Sequence, residues 1–426
     1  MKKPRVFITG LSTLTAAGDT LQATWCALQQ GQSAIGPIEQ WPLQSWPHRL
    51  GGEIKSFKAA RMLPDKKLAK VVSRQDVLGI NAAMQAIEHS QIIAYRQQLT
   101  DATQFNDETG VYVGSPGNKY CQQYDFLTLL AKTNGALQPF AEQLFSEVHP
   151  TWLLRILPNN VLAYTGIHYG FKGANHNIAN HAVSGMQAVM EAYHAIISGQ
   201  IERAVVVAYD TGIEPEALFY YDQLGVVSPD GIKPFDQKHN GTILAEGAAA
   251  LVLESEQSVQ ARDALCFAEV LGGGSNSEAA GLFTLDNTGQ PLQQLIQQTL
   301  LQTHVPAAQL QAVVAHGNGN PCSDDSEAQA ISQLLAHKPQ VSAFKWAMGH
   351  TLAASGLIDV ALAAHALHQQ YLPTIATLTT PSPQSDSLNL VTTPALLPPN
   401  AHALVINRGF GSMNACVVLK GCHELH

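Results

Sequence analysis

The chain has 426 residues, of which 46% are hydrophobic and 13% charged, with a formal net charge of −9 and a pI near 6.0. That balance argues against a nucleic-acid partner, which needs a basic footprint, and no run approaches the ~20 apolar residues of a membrane span. Average globular proteins carry roughly 25% charged residues, so the sparse charge here points to an oligomer that hides much of its surface.

Six cysteines (Cys26, Cys121, Cys266, Cys322, Cys416 and Cys422) are scattered without a C-x-x-C pair. The pattern suits a reducing cytosol and offers no disulfide or zinc framework, so neither metal nor cofactor is expected. MKKPRVFITG begins with basic residues, but Pro4 and a short strand stand where a secretory segment would have its apolar core. A cytoplasmic location is expected.

In chain order, Arg5 to Gly10 reads as a buried strand, followed by a helix through Trp25 and Leu28. Residues 35 to 65 carry four prolines and read as an irregular excursion. Val71 to Ile87 has helical period, and Val111 to Gly114 is a second strand. From Ser115 to about Phe145 an insertion rich in aromatic and amide residues is expected at a subunit interface or over a tunnel. Strands at 203 to 209 and 248 to 253 complete a first series. A second has strands at 266 to 271, 312 to 315, 403 to 407 and 415 to 419, with helices near 292 to 303, 327 to 335 and 351 to 368. Alternation over both halves predicts an α/β fold with mostly parallel sheets covered by helices, possible as two similar units, 1–255 and 256–426.

In the first series, between the insertion and the strand at 203 to 209, lies ANHNIANHAVSGMQAVMEAYHAIISG, Ala174 to Gly199. A short strand turns through Asn180, His181 and Ala182 into a helix with apolar residues at Val183, Met186, Val189, Met190, Tyr193, Ile196 and Ile197. Such a turn commonly displays a nucleophile, because the first N–H groups of the helix favour an anion ahead of them. Here its apex is Ala182. Ser184 is rotated by roughly 200° around the helix and should face away. His181, next along the turn, should diverge from Ala182. Cys121, Cys322 and Cys416 would have to reach the apex from other segments.

Three further segments place polar residues where buried strands give way to loops. AVVAHGNGNP carries His316 among glycines; VSAFKWAMGHTLAASG carries Lys345 and His350, with Asp359 further on; NRGFGSMN is a glycine turn with Phe410. Two neutral histidines can donate hydrogen bonds to a developing enolate or move a proton. Amides at a glycine turn and a helix start can hold an oxyanion.

In this order the segments resemble the β-ketoacyl-carrier-protein synthases of fatty acid and polyketide synthesis. The resemblance runs from RVFITGLSTLTAAG to GFGSMNACVVLK and includes KPFDQKHNGTILAEGAAALVLE, with Asp236, Gly241, Glu246 and Gly247. It implies a thiolase-like fold, two similar βαβαβαββ halves in a five-layered α-β-α-β-α arrangement. It also implies a pocket holding His316, His350 and Lys345, a polar network of Lys345, Asp359 and Glu246 beneath it, and Phe410 as a gate to an acyl tunnel. The family's TAC-x-SG becomes NHAVSG, so its nucleophilic cysteine falls on Ala182. The two threonines of HGT-x-T, which meet the carrier's pantetheine arm, fall on Asn318 and Asn320, and the last glycine of GFGG on Ser412.

The resemblance is nearest to chain-length-factor subunits, possible in an aryl polyene system. These pair with an active ketosynthase and work on chains borne by acyl carrier protein. The strand near His176 to Asn180 and the 115 to 145 insertion would form the interface. Two alternatives stand beside that reading. One is decarboxylation of malonyl carrier protein by His316 and His350 with the amides of Ala182 and Phe410; the other is a complete condensing enzyme with a different nucleophile.

Overall fold

The computed structural model describes residues 4–43, 46–117 and 124–422. The strands of its main sheet are β1 (Val6–Thr15), β2 (Thr109–Gly114), β3 (Asn175–Ile178), β4 (Arg203–Thr211), β5 (Glu246–Ser255), β6 (Ala268–Ser277), β7 (Leu310–Val314), β8 (Gln340–Ser342), β9 (Asn389–Leu390), β10 (His402–Gly409) and β11 (Met413–Gly421), with two short two-stranded sheets besides. Its longer helices are α1 (Leu21–Gln29), α2 (Arg74–Ser90), α3 (Tyr124–Lys132), α4 (Leu137–Glu147), α5 (Asn160–Tyr169), α6 (Ser184–Ile197), α7 (Pro215–Gln223), α8 (Gln290–Thr303), α9 (Pro321–Leu334) and α10 (Ser355–Gln369).

The strands form one sheet in the order β9-β8-β7-β10-β11-β6-β1-β5-β4-β2-β3. The same motif occurs twice in it. In the first half the order is β3-β2-β4-β5-β1, and in the second β8-β7-β10-β11-β6, with the penultimate strand antiparallel to both neighbours each time. Within the sheet, among the described residues, the halves join where Val6, Phe7 and Ile8 pair with Val270, Glu269 and Ala268. The expected parallel character therefore holds only toward the two ends, in β4-β2-β3 and β10-β7-β8-β9. Through the centre, from β10 to β4, every neighbouring pair is antiparallel, and β10 runs into β11 through a tight turn with no crossover helix between them.

The helices make the layers expected of a thiolase-like fold. α2 packs on one face of β1, β5 and β4, and α8 on the far face of β6 and β11. α6 and α10 lie between the halves: α6 touches β2 and β4 on one side and β6 and β11 on the other, while α10 touches β5 and β1, then β10 and β11. α10 is consequently buried along nearly its whole length, from Ser355 to Leu367, which is why it is apolar all round. α2 starts at a capping box in which the Ser73 hydroxyl accepts the Asp76 N–H and the Asp76 carboxylate accepts the Ser73 N–H.

Several boundaries differ from those expected: the strand at 266–271 runs from Ala268 to Ser277, and the helix near 327–335 begins at Pro321. β1 continues past Gly10 to Thr15. Gly10 does not end the strand but admits α2, since a Cβ there would lie 2.4 Å from the Ala86 carbonyl oxygen. The insertion after Ser115 forms α3 and α4 around Leu129, Phe140 and Val148, leaving Leu137 and Phe145 76% and 85% exposed. Cys121 lies outside the described residues.

Candidate functional site

The turn from β3 into α6 is tight. Asn180 and Ala182 form an isolated bridge, and His181 between them has φ 49°, a left-handed conformation that only a few per cent of non-glycine residues adopt. The Ser184 hydroxyl accepts the Asn180 N–H at 2.7 Å and donates to the His181 carbonyl at 2.7 Å, tying the turn to the helix start. Ser184 thus faces away from the cavity, as its helical position predicts.

The positive φ at His181 has a consequence that neighbouring-residue divergence did not anticipate. Its imidazole lies flat on the Phe410 ring, with centroids 4.5 Å apart and planes 18° apart, and Phe410 stacks on Tyr221 at 5.2 Å. Nδ1 of His181 accepts the Phe410 N–H at 3.1 Å, so the ring carries its proton on Nε2 and donates to the Tyr221 hydroxyl at 2.7 Å. Burial pushes the imidazole down to about 4, which keeps it neutral. Ala182, where the family's cysteine falls, is fully buried, lies against Gly409 and is outside the linings of the cavities described below. The Phe410 amide, expected as an oxyanion donor, is already engaged.

His316 and His350 come together as expected, with ring centroids 5.2 Å apart and planes at 74°. Nδ1 of His316 accepts from the Arg408 N–H and the Asn407 amide, each at 3.3 Å; Nδ1 of His350 accepts the Leu352 N–H at 3.0 Å. Both rings therefore hold Nε2–H donors. Burial first, and the charge of Lys345 second, push both well below the usual histidine value, so each is a neutral donor.

Motif carboxylates hold the His316 loop in place. Glu327 accepts the N–H groups of His316 at 2.7 Å and Gly317 at 3.0 Å, and burial pushes it up to about 7. Asp324 accepts from Asn318, Gly319 and Phe235. Lys345 and Asp359 form a buried pair at 2.5 Å, in which burial raises Asp359 to about 6 against the pull of Lys345. Glu246 does not share that network. At the start of β5 it meets α2 instead, accepting from Arg74 at 2.6 and 2.8 Å and from the Ile54 N–H at 2.9 Å.

A cavity of about 410 Å³ is lined by His316, His350, Asn318, Asn320, Phe410 and His181, among others. A second cavity of about 330 Å³ lies beyond the stack, and both are lined by His181, Tyr221, Phe283 and Phe410. The three stacked rings are the wall between them. Lys345, Asp359 and Glu246 lie outside both linings. Tyr221, on α7, belongs to no motif and left no sequence signal; Arg408, which binds Glu278 at 2.7 Å and also lines the first cavity, sits beside Phe410 in NRGFGSMN.

Two of the remaining thiols are sealed: burial raises Cys416 to about 11 and Cys266 to about 12. Cys322, in contrast, is exposed and lines the first cavity. It follows Pro321 in sequence, where a loop rather than a helix is expected. It stands instead in the first turn of α9, and both it and His316 reach the cavity.

Residues 3–258 match the family described as Beta-ketoacyl synthase, N-terminal domain, and residues 267–379 the family described as Beta-ketoacyl synthase, C-terminal domain. The chain is 27% identical over 437 aligned residues to a 3-oxoacyl-[acyl-carrier-protein] synthase 2 of Synechocystis sp., covering 99% of each. Among solved structures it resembles a beta-ketoacyl synthase from Burkholderia phymatum (TM-score 0.87, 23% identity, 99% of this chain and 100% of that one). It also resembles the ishigamide ketosynthase/chain length factor (TM-score 0.86, 22% identity, the same coverage).

Proposed function

The chain belongs to the β-ketoacyl synthase family, and from that premise we propose that it is a non-condensing subunit of the chain-length-factor kind. It pairs with an active β-ketoacyl synthase and shapes the acyl tunnel of the pair, in polyketide- or fatty-acid-type synthesis such as that of aryl polyenes. The observation that carries this reading is the elbow itself. Residue 182 offers a buried methyl group, and His181 occupies the amide that would receive a thioester oxygen. The family fold is kept together with His316, His350 and Lys345, and one structural neighbour is a ketosynthase/chain length factor.

In this reading the partner's cysteine holds the growing chain. Asn318 and Asn320 meet the arm of an acyl carrier protein, and the His181–Phe410–Tyr221 wall limits how far a chain extends. Co-expression with the neighbouring active synthase should give one species in size exclusion. A stable homodimer that neither binds that synthase nor alters its activity would refute the pairing.

A second reading rests on the two Nε2–H donors of His316 and His350, which suit an enolate. It has the isolated chain decarboxylating malonyl carrier protein without a covalent intermediate. The occupied Phe410 amide counts against it, because one oxyanion donor is lost. Carbon dioxide release that disappears in His316→Ala would support this reading, and release no faster than without protein would eliminate it.

A further inference from the structure

Cys322 does not stand alone at the first cavity. Thr242 and Ser323, only 4% and 3% exposed, line the same space. Their hydroxyl oxygens are buried without a hydrogen-bond partner among the described residues, and buried hydroxyls ordinarily have one. Two hydroxyls on separate segments thus wait for a polar ligand. The asparagines add to them. Asn318 Oδ1 accepts the Asn320 N–H at 2.9 Å, and Asn320 Oδ1 accepts the Ser323 N–H at 3.4 Å. With each side-chain oxygen turned to its own loop, each amide NH₂ remains to donate. A ligand suited to these groups carries several carbonyls, and the exposed thiol beside them is placed to meet one.

We propose that Cys322 is an acyl-accepting thiol for pantetheine-type acyl thioesters that enter this cavity. The step is a thioester exchange. Cys322 Sγ forms a bond to the acyl carbonyl carbon, the bond from that carbon to the arm's sulfur breaks, and the cysteine's proton leaves on the departing arm thiol. One thioester replaces another, so no oxidant or further reactant is required. The donors beside the thiol (Ser323, Asn320 and Thr242) hold the arm and the carbonyl oxygen. Because Cys322 is exposed while His316 and His350 are 1% and 5% exposed, the acyl group is held at the mouth, away from the histidine pair. The inference rests on the reading that this cavity admits the carrier's arm.

The test uses the full-length chain and hexanoyl-pantetheine, with neither carrier nor partner protein, followed by intact-mass measurement and peptide mapping. One adduct on Cys322 is expected, absent in Cys322→Ser. Thr242→Val, which removes only an unpartnered hydroxyl, should slow the acylation about tenfold, the scale of one lost hydrogen bond, without changing iodoacetamide alkylation of Cys322. No adduct, adducts spread over other cysteines at equal rates, or wild-type acylation in Thr242→Val would each overturn the proposal. Protection of Cys322 from alkylation by free pantetheine reads arm entry separately: protection without an adduct defeats the transfer alone, and the lack of both defeats arm entry as well.

Discussion

A cysteine restored at position 182 would not by itself rebuild an acylation site, because the His181 imidazole already takes the Phe410 amide and residue 182 is fully buried. Ala182→Cys alone should therefore show no acyl adduct at residue 182 by mass spectrometry with an acyl thioester. The double variant His181→Ala with Ala182→Cys should show one. A second expectation concerns the Lys345–Asp359 pair, 3% and 2% exposed in their side chains. Lys345→Met leaves a buried carboxylate without its cation, so urea unfolding should report a loss of about 3–5 kcal/mol. Much at this scale was legible: the motifs located His316, His350, Asn318, Asn320 and Phe410, and all five line one cavity. The orientation of His181 was not, since it follows from a backbone angle of the turn and not from residue type. Glu246 was assigned to the wrong network for a similar reason: its partner Arg74 is 172 positions away in the chain, and no spacing signals it.

Among the elements, α10 shows how completely the central layer is enclosed. His365 on this helix is 7% exposed with both ring nitrogens lacking a partner among the described residues; its ring meets Trp25 edge-on at 4.7 Å. Burial, assisted by His368 and His89, pushes it down to about 4. The folded state thus binds its proton later than the unfolded state does on acidification. The contribution is intact above the ordinary histidine value of about 6.5 and is lost as pH falls from there toward 4. His365→Phe should escape this penalty. Between pH 7.5 and 5 the wild type should lose about 2 kcal/mol more unfolding free energy than the variant, measured by denaturant titration. Helix and strand positions along both halves were readable from periodicity, α6 and α10 above all. The antiparallel centre was less so, because alternation of strands and helices says nothing of a strand that follows its neighbour through a hairpin, as β11 does after β10. Gly10 misled for a physical reason too: it marks the close approach of α2, not the end of a strand.

For the whole molecule, low charge and exposed apolar side chains on the insertion and on α5 both point to a face covered in an oligomer. Phe145 on α4 is 85% exposed, with Leu137 at 76% and Ile167 on α5 at 75%. Phe145→Asp should weaken co-elution with the active synthase while leaving the melting temperature of the isolated chain within about 2 °C, since an exposed substitution changes stability little. The duplicated architecture was foreseeable from the paired strand series, whereas the division of the interior into two cavities by three stacked rings was not, because those rings come from segments far apart in sequence. The most direct test is carbon–carbon bond formation by the isolated chain given acyl- and malonyl-carrier protein, compared with the co-purified pair. The pair should yield β-ketoacyl product and the isolated chain none above a protein-free control; product from the isolated chain at a rate comparable to that of the pair would contradict the account.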